Sequence, residues 1–174
     1  MTETNYKTYQ MPSDAEIELS GKVYVGDPCY VINDSDWDRV CDMMINEDFD
    51  DRNKLRVFEI NNVKSYWFGT AYGDGCYAFL LKSKFPIPIA MLCVDAGLLS
   101  LIPVEILKET NPNLDLAEVE RFGHIIDVDK SMFYSLKNGN LEFGPYFINT
   151  TGLYDDDDDD IDEEYDDDID EEYD

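Results

Sequence analysis

Residues 65 to 81 read Ser-Tyr-Trp-Phe-Gly-Thr-Ala-Tyr-Gly-Asp-Gly-Cys-Tyr-Ala-Phe-Leu-Leu and carry the strongest structural signal in the chain. Aromatic and apolar residues dominate 65–72 and 75–81, which is typical of β-strands. Between the two runs stands Gly73-Asp74-Gly75, whose Asp-Gly step suits the positive φ angles of a tight turn. The stretch therefore predicts a β-hairpin.

Short runs of the same kind on both sides of this stretch predict a body built mainly of strands. Extended segments are expected at 22–26, 29–32, 55–60, 92–95, 98–102, 124–128, 131–136 and 140–143. Gly26-Asp27-Pro28 separates the first two segments and predicts a bent strand or a hairpin. Ala96-Gly97 separates another pair, and Asn138-Gly139 is a further hairpin signal.

Three segments have the spacing or the end signals of helices. Apolar residues recur at helical spacing after the capping residues Asn33 to Ser35, which predicts a helix over 36–45. Pro103 can open a second helix through about residue 109, and 115–122 predicts a third. The expected fold is α+β, with a mainly antiparallel sheet or a partly closed barrel and two or three short helices.

Composition divides the 174 residues into three parts. We expect a flexible N-terminal arm at 1–14, a single α+β domain at 15–154 and a disordered acidic tail at 155–174. The tail holds 16 carboxylates and neither Lys nor Arg, and the remaining residues carry 24 acidic and 13 basic groups, a net charge of −11. This charge argues against direct binding to nucleic acid or anionic membranes, and it favours a basic protein as partner.

The cellular location and the thiol state are also predicted from composition. The chain has no apolar run of the length of a membrane span, and its polar start lacks the features of a signal peptide, so we expect a cytoplasmic protein without membrane association. The cysteines show no paired metal-binding spacing, and we expect reduced, mostly buried thiols at Cys29, Cys41, Cys76 and Cys93. The oligomeric state is left open.

An internal pattern, Gly-Asp-x-Cys-Tyr, occurs at residues 26–30 and again at 73–77. With the acidic turn at residues 95–97, it makes Asp27, Asp74 and Asp95 candidate ligands for a divalent metal, provided that the three turns meet at one end of the sheet. In the same arrangement Cys29 or Cys76 could act as a nucleophile. A structural role is favoured instead, because Asp is common in turns and because Cys and Tyr are ordinary residues at the start of a strand.

Recognisable catalytic motifs are missing from the sequence. The chain contains no Walker A loop, no dinucleotide-binding glycine motif, no zinc-protease motif and no nucleophile elbow. Its one histidine, His124, begins an apolar strand, where a structural role is typical. The sequence therefore predicts a protein that is not an enzyme, with no catalytic residue and no cofactor.

Three blocks carry a resemblance to a known group. Gly-Lys-Val-Tyr-Val-Gly-Asp-Pro-Cys-Tyr-Val-Ile (21–32), Thr-Ala-Tyr-Gly-Asp-Gly-Cys-Tyr (70–77) and Val-Asp-Ala-Gly-Leu-Leu-Ser-Leu-Ile-Pro (94–103) resemble small, largely uncharacterised proteins of bacteriophages and bacteria. The resemblance covers about residues 20–105. It implies a phage or phage-derived origin, a location in the host cytoplasm and a shared small fold. It assigns no function and no site residues.

The tail contains the octad Asp-Asp-Asp-Ile-Asp-Glu-Glu-Tyr twice, at 158–165 and at 166–173. An extended chain spaces its charges by roughly 3.3 Å, close to the charge spacing of a nucleic-acid strand, and tyrosines can stack where bases would. The residues expected to contact a partner are Asp158, Asp162, Glu163, Glu164, Tyr165, Asp166, Asp170, Glu171, Glu172 and Tyr173.

The function predicted from the sequence is therefore that of an acidic interaction protein. It would bind a basic, nucleic-acid-binding protein of the host or phage, as a mimic or inhibitor. Three alternatives stay open: a regulatory tail that acts on its own chain or on a partner chain, a body with a carboxylate and cysteine site for a ligand or metal, and a tail that only maintains solubility.

Overall fold

The computed structural model describes residues 5–46 and 52–152, which contain twelve strands and three α-helices. The helices are α1 (Asp34–Asn46), α2 (Val104–Thr110) and α3 (Leu116–Val119). The strands are β1 (Tyr6–Gln10), β2 (Asp14–Ile17), β3 (Gly21–Gly26), β4 (Arg56–Ile60), β5 (Val63–Gly69), β6 (Gly75–Leu81), β7 (Pro88–Val94), β8 (Leu98–Pro103), β9 (His124–Val128), β10 (Met132–Lys137), β11 (Asn140–Phe143) and β12 (Tyr146–Asn149). The predicted α+β class is confirmed.

The strands form two six-stranded sheets in which all neighbouring strands are antiparallel. Sheet 1 has the order β1-β4-β5-β8-β3-β9, and sheet 2 has the order β2-β10-β11-β12-β6-β7. The two sheets stay separate throughout the described residues, so the chain adopts the mainly antiparallel arrangement and not the partly closed barrel.

Two hydrophobic cores lie on opposite faces of sheet 1. On β5, Tyr66 and Phe68 point into the core between the sheets, whereas Trp67 points into a second core beneath the helices. All three side chains are buried. Because successive residues of a strand face opposite sides, this run of aromatic residues can be buried only if both sides of the strand are covered. Sheet 1 is therefore the middle layer, between sheet 2 and the helices.

The hairpin expected across Gly73-Asp74-Gly75 is not formed. The two flanking strands exist, but β5 pairs with β4 and β8 in sheet 1, and β6 pairs with β12 and β7 in sheet 2. Gly75 has φ +152° but Asp74 does not have a positive φ, so the two positive φ angles expected at the Asp-Gly step are only half present. The turn carries the chain from one sheet to the other, because both edges of β5 are already occupied by other strands.

Two further connections differ from the prediction. The turn at 95–97 also crosses between sheets, since β7 lies in sheet 2 and β8 in sheet 1. Residues 29–32, expected to be extended, form no strand: a 3-10 turn runs from Pro28 to Tyr30 and is capped by the Asp27 side chain. The hairpin at Asn138-Gly139 is confirmed: β10 pairs with β11, and both turn residues have positive φ.

The N-terminal segment is more regular than a flexible arm. Residues 6–10 pair with β4 as an edge strand, and residues 14–17 pair with β10. Residues 1–4 lie outside the described part of the chain. The helix predicted over 36–45 is confirmed as α1, and Asn33 caps it, since the Asn33 side-chain oxygen accepts from the amide of Asp36 at 2.9 Å.

Alanine substitution at Gly139 tests the hairpin against a matched glycine. Gly139 has φ +81°, and an added Cβ would lie 2.6 Å from the Ala71 backbone nitrogen, whereas Gly21 has φ +76° and open space around it. We expect Gly21→Ala to lower the free energy of unfolding by about 1 kcal/mol through backbone strain alone. Gly139→Ala should lower it by about 3 kcal/mol, because steric overlap is added. Urea denaturation measures both, and equal losses would contradict the close packing at Gly139.

Candidate functional site

Three acidic turns meet at one end of the sandwich, and we call residues 26–30, 70–76 and 93–97 the turn cluster. One Asp27 carboxylate oxygen accepts from the backbone amides of Asp95 at 2.7 Å and of Ala96 at 2.9 Å. The Thr70 amide donates to the Gly97 carbonyl at 3.0 Å, and its hydroxyl donates to the Gly73 carbonyl at 2.6 Å. The three acidic turns therefore meet at one end of the sheets, which was the condition for a shared site.

Asp27 is the structural centre of the turn cluster. Its side chain is 0% exposed, and its second oxygen accepts from the Cys29 amide at 2.8 Å. With three backbone donors on one carboxylate, Asp27 holds the 3-10 turn and the 95–97 turn together. A metal bound at Asp27 would have to displace these amides, so the contacts favour the structural role.

The other two carboxylates lie at the surface of the turn cluster. Asp74 and Asp95 are exposed, and Asp95 accepts a hydrogen bond from the Tyr30 hydroxyl. This hydrogen bond raises the pKa of Tyr30 above its usual value. The Tyr30 ring stacks on Phe122 with ring centroids 4.4 Å apart. Among the described residues, no group of three His, Cys, Asp or Glu side chains is arranged to hold a metal ion.

The environment of Cys29 opposes nucleophilic chemistry. Burial raises the pKa of the Cys29 thiol, and a hydrogen bond with Asp27 and the negative charges of Asp27, Asp95 and Asp74 raise it further. A nucleophilic cysteine needs the opposite shift, because the thiolate is the reactive form. The histidine sits on β9, where the His124 ring meets the Phe79 ring edge-on at 5.9 Å.

The remaining thiols are more accessible than the sequence suggested. The expectation of mostly buried cysteines is wrong, because Cys76 is exposed and Cys29, Cys41 and Cys93 are half-buried. Cys76 and Cys93 also lie side by side, with their sulfur atoms 3.5 Å apart. This pair is not predicted from the sequence, because the predicted hairpin joins β6 to β5. Pairing β6 with the next strand, β7, would have placed the two cysteines opposite each other.

The helices carry the net charge of the described residues. Residues 34–46 and 104–121, the helical layer, contain nine acidic and three basic groups, whereas the remaining described residues contain ten of each. The acidic helical face is the set of exposed carboxylates on this layer: Asp34, Asp38, Asp42, Glu105, Glu109, Asp115, Glu118 and Glu120. In the sequence, the four-residue spacing of the aspartates along α1 indicates this acidic face.

Contacts between the ends of the helices make this layer continuous. The Asn33 side-chain amide donates to the Thr110 carbonyl at 2.7 Å, and the Asn111 side-chain amide donates to the Val31 carbonyl at 3.2 Å. Both helices also contribute to the core above sheet 1, through Val40 and Ile106. The carboxylates of α1 and α2 therefore belong to one surface.

The tail residues proposed to contact a partner, from Asp158 to Tyr173, lie outside the described residues. Their role stays a prediction. None of the described helices is long and apolar enough to cross a membrane.

Comparison with known proteins gives no relative from which a role could be transferred. No protein-family model matches the chain, no curated protein is significantly similar to it in sequence, and no solved structure matches its fold. The resemblance to phage and bacterial proteins stays a prediction from the quoted blocks.

Substitution of Asp27 tests its structural role. Asp27→Asn removes the charge and one of the two acceptor oxygens, so at least one of the three part-buried backbone amides loses its partner. We expect the free energy of unfolding to fall by about 2–4 kcal/mol. Asp74→Asn is the matched control, because Asp74 is exposed, and it should change stability by less than about 0.5 kcal/mol. Equal stability of the two variants in urea denaturation would refute the role of Asp27.

Alkylation rates test the environment of Cys29. Iodoacetamide at pH 8 should modify Cys29 at least about tenfold more slowly than Cys76, because Cys29 is held in its thiol form and Cys76 is exposed. Peptide mass spectrometry after timed quenching gives both rates. In concentrated urea the difference should disappear. Faster alkylation of Cys29 in the folded protein would contradict the raised pKa.

Proposed function

We propose that this chain is a non-enzymatic acidic interaction protein that binds a basic, nucleic-acid-binding protein and occupies the surface otherwise used by nucleic acid. The observation that carries the proposal is the segregation of charge. The helical layer has a net charge of −6, the remaining described residues are neutral in sum, and the tail adds sixteen carboxylates. On the sequence resemblance, we assign it a phage origin.

The acidic helical face presents its carboxylates at a regular spacing, which suits binding by a basic partner. Asp34, Asp38 and Asp42 succeed one another every four residues along α1, and all three are exposed. At 1.5 Å of rise per residue, this row spaces its carboxylates by about 6 Å. The tail, if extended, spaces them more densely, by roughly 3.3 Å. Each region alone presents a regular row of negative charge of the kind that a nucleic-acid backbone carries.

Clustering of like charges costs free energy. A protein whose acidic groups only maintain solubility would not need such clustering. Carboxylates on one surface repel one another, whereas acids interspersed with bases give the same solubility without that repulsion. The rest of the surface follows the interspersed pattern, with pairs such as Lys82–Glu142 at 2.8 Å and Lys64–Glu18 at 2.9 Å. The concentration of acid on the helical layer therefore supports a binding role for that layer.

Binding of the full-length chain to purified basic proteins tests the proposal. A histone-like DNA-binding protein is the probe, and an equally basic protein that does not bind nucleic acid is the comparison. We expect the chain to prefer the DNA-binding protein, a single-stranded oligonucleotide to compete, and affinity to fall steeply with salt. Equal binding to both basic proteins, with no competition by the oligonucleotide, would indicate general charge attraction. That result would contradict mimicry.

Charge-neutral variants separate the contributions of the two acidic regions. Replacing the sixteen tail carboxylates by their amides, at unchanged length, should weaken binding about tenfold or more. Asp38→Asn with Glu118→Gln should weaken it further. Glu16→Gln with Asp129→Asn is the matched control, because it removes two exposed charges outside the helical layer. If the control pair weakens binding as much as the helical pair, the helical layer has no specific role.

A further inference from the structure

Cys76 and Cys93 occupy directly opposite positions on the antiparallel strands β6 and β7. Their neighbours Tyr77, Leu92 and Val94 are buried in the core between the sheets. Because side chains alternate along a strand, the two cysteines point to the outer face of sheet 2. Their sulfur atoms are 3.5 Å apart, and Cys76 is exposed. The pair is therefore accessible to small reagents from solution.

The backbone around this pair is already arranged for a disulfide. The Cys93 amide donates to the Phe122 carbonyl at 2.9 Å, so it points away from β6. Opposite residues whose amides point outward are the non-hydrogen-bonded pairs of an antiparallel ladder, with Cα atoms about 4.5 Å apart. A disulfide accepts Cα separations of about 4.4–6.8 Å. The sulfur atoms can thus reach bonding distance by side-chain rotation, without moving either strand.

We infer that Cys76 and Cys93 form a redox-active dithiol site that reacts with low-molecular-weight disulfides. The exposed Cys76, as thiolate, attacks one sulfur of the small disulfide, forms a mixed disulfide and releases one small thiolate. Cys93 then loses its proton to solvent and attacks the Cys76 sulfur, which releases the second small thiolate. The protein loses two hydrogen atoms and gains one S–S bond, and the small disulfide is reduced to two thiols.

The surroundings of the four cysteines favour reaction at Cys76 and Cys93, with Cys76 attacking first. Cys93 is half-buried, and its hydrogen bond with Cys76 raises the Cys93 pKa, so Cys93 retains its proton and Cys76 is the first to react. Burial raises the pKa of Cys29 and also that of Cys41, which lies on α1. Reversible disulfides of this kind in reducing compartments usually sense or transmit the redox state.

The reaction is tested on the full-length protein with glutathione buffers of increasing oxidised fraction at pH 7.5. Samples are quenched with acid, alkylated with N-ethylmaleimide and measured by intact mass and peptide mapping. We expect a mixed disulfide on Cys76 to rise and then decay, leaving a product that lacks two alkylatable thiols, carries no glutathione and joins residues 76 and 93. A persistent mixed disulfide on the wild-type chain, or a cross-link through Cys29 or Cys41, would overturn the inference.

Two cysteine variants test the same reaction independently. Cys93→Ser should trap glutathione on Cys76, because no second thiol resolves the mixed disulfide. Cys41→Ser is the matched control and should behave like the wild type. Circular dichroism verifies that each variant is folded, and the wild-type time course remains decisive if one is not. Loss of the internal disulfide in Cys41→Ser, or its survival in Cys93→Ser, would assign the reaction to other thiols.

Discussion

The burial of β5 and β8 on both faces is the constraint on which the rest of the structure depends. All six residues of β8 are buried, as are Ser65 to Phe68 of β5. Strands of this kind need a covering layer on each side, and sheet 2 and the helices provide the two layers. The polar groups on the helix side are paired: the Trp67 ring nitrogen donates to the Ser65 hydroxyl, and Ser65 donates to the Phe58 carbonyl, both at 2.9 Å.

The same constraint explains where the charge lies. The central strands of sheet 1 offer few solvent-facing positions, so charged residues on that side of the molecule must lie on the outer faces of the helices. The outer face of sheet 2 is solvent-exposed as well, but it mixes acids with lysines. The acidic surface is thus a property of one layer. It is continuous because the ends of α1 and α2 are joined by side-chain hydrogen bonds.

The turn cluster contains both reactive thiols, so the fold of these turns affects the chemistry of the thiols. Two of the chain crossings between the sheets occur at the turns 70–74 and 95–97, and Asp27 fixes the second of these through two backbone amides. The strands that adjoin these turns, β6 after the first and β7 before the second, carry Cys76 and Cys93 within the turn cluster. Asp27 therefore holds the turn that directly follows β7, the strand that carries Cys93.

Much of the local structure could be predicted from the sequence, and the pairing of distant elements could not. The Asn138-Gly139 hairpin and α1 follow from turn chemistry and helical spacing, which are local. The Asp74-Gly75 step indicates a turn, but it does not indicate whether the next strand pairs within the same sheet. That choice depends on which edges of β5 are occupied by β4 and β8, strands distant in sequence. The meeting of Asp27 with residues 95 and 96 depends on the same crossings.

We propose that the helical layer, together with the tail, binds a basic partner. Hydrogen–deuterium exchange of the full-length chain, alone and with a saturating histone-like DNA-binding protein, tests this most directly. We predict slower exchange across 34–46 and 104–121 as well as in the tail, and unchanged exchange in β10 and β11 of sheet 2. Protection confined to sheet 2, or to the tail alone, would show that the helical layer does not bind the partner.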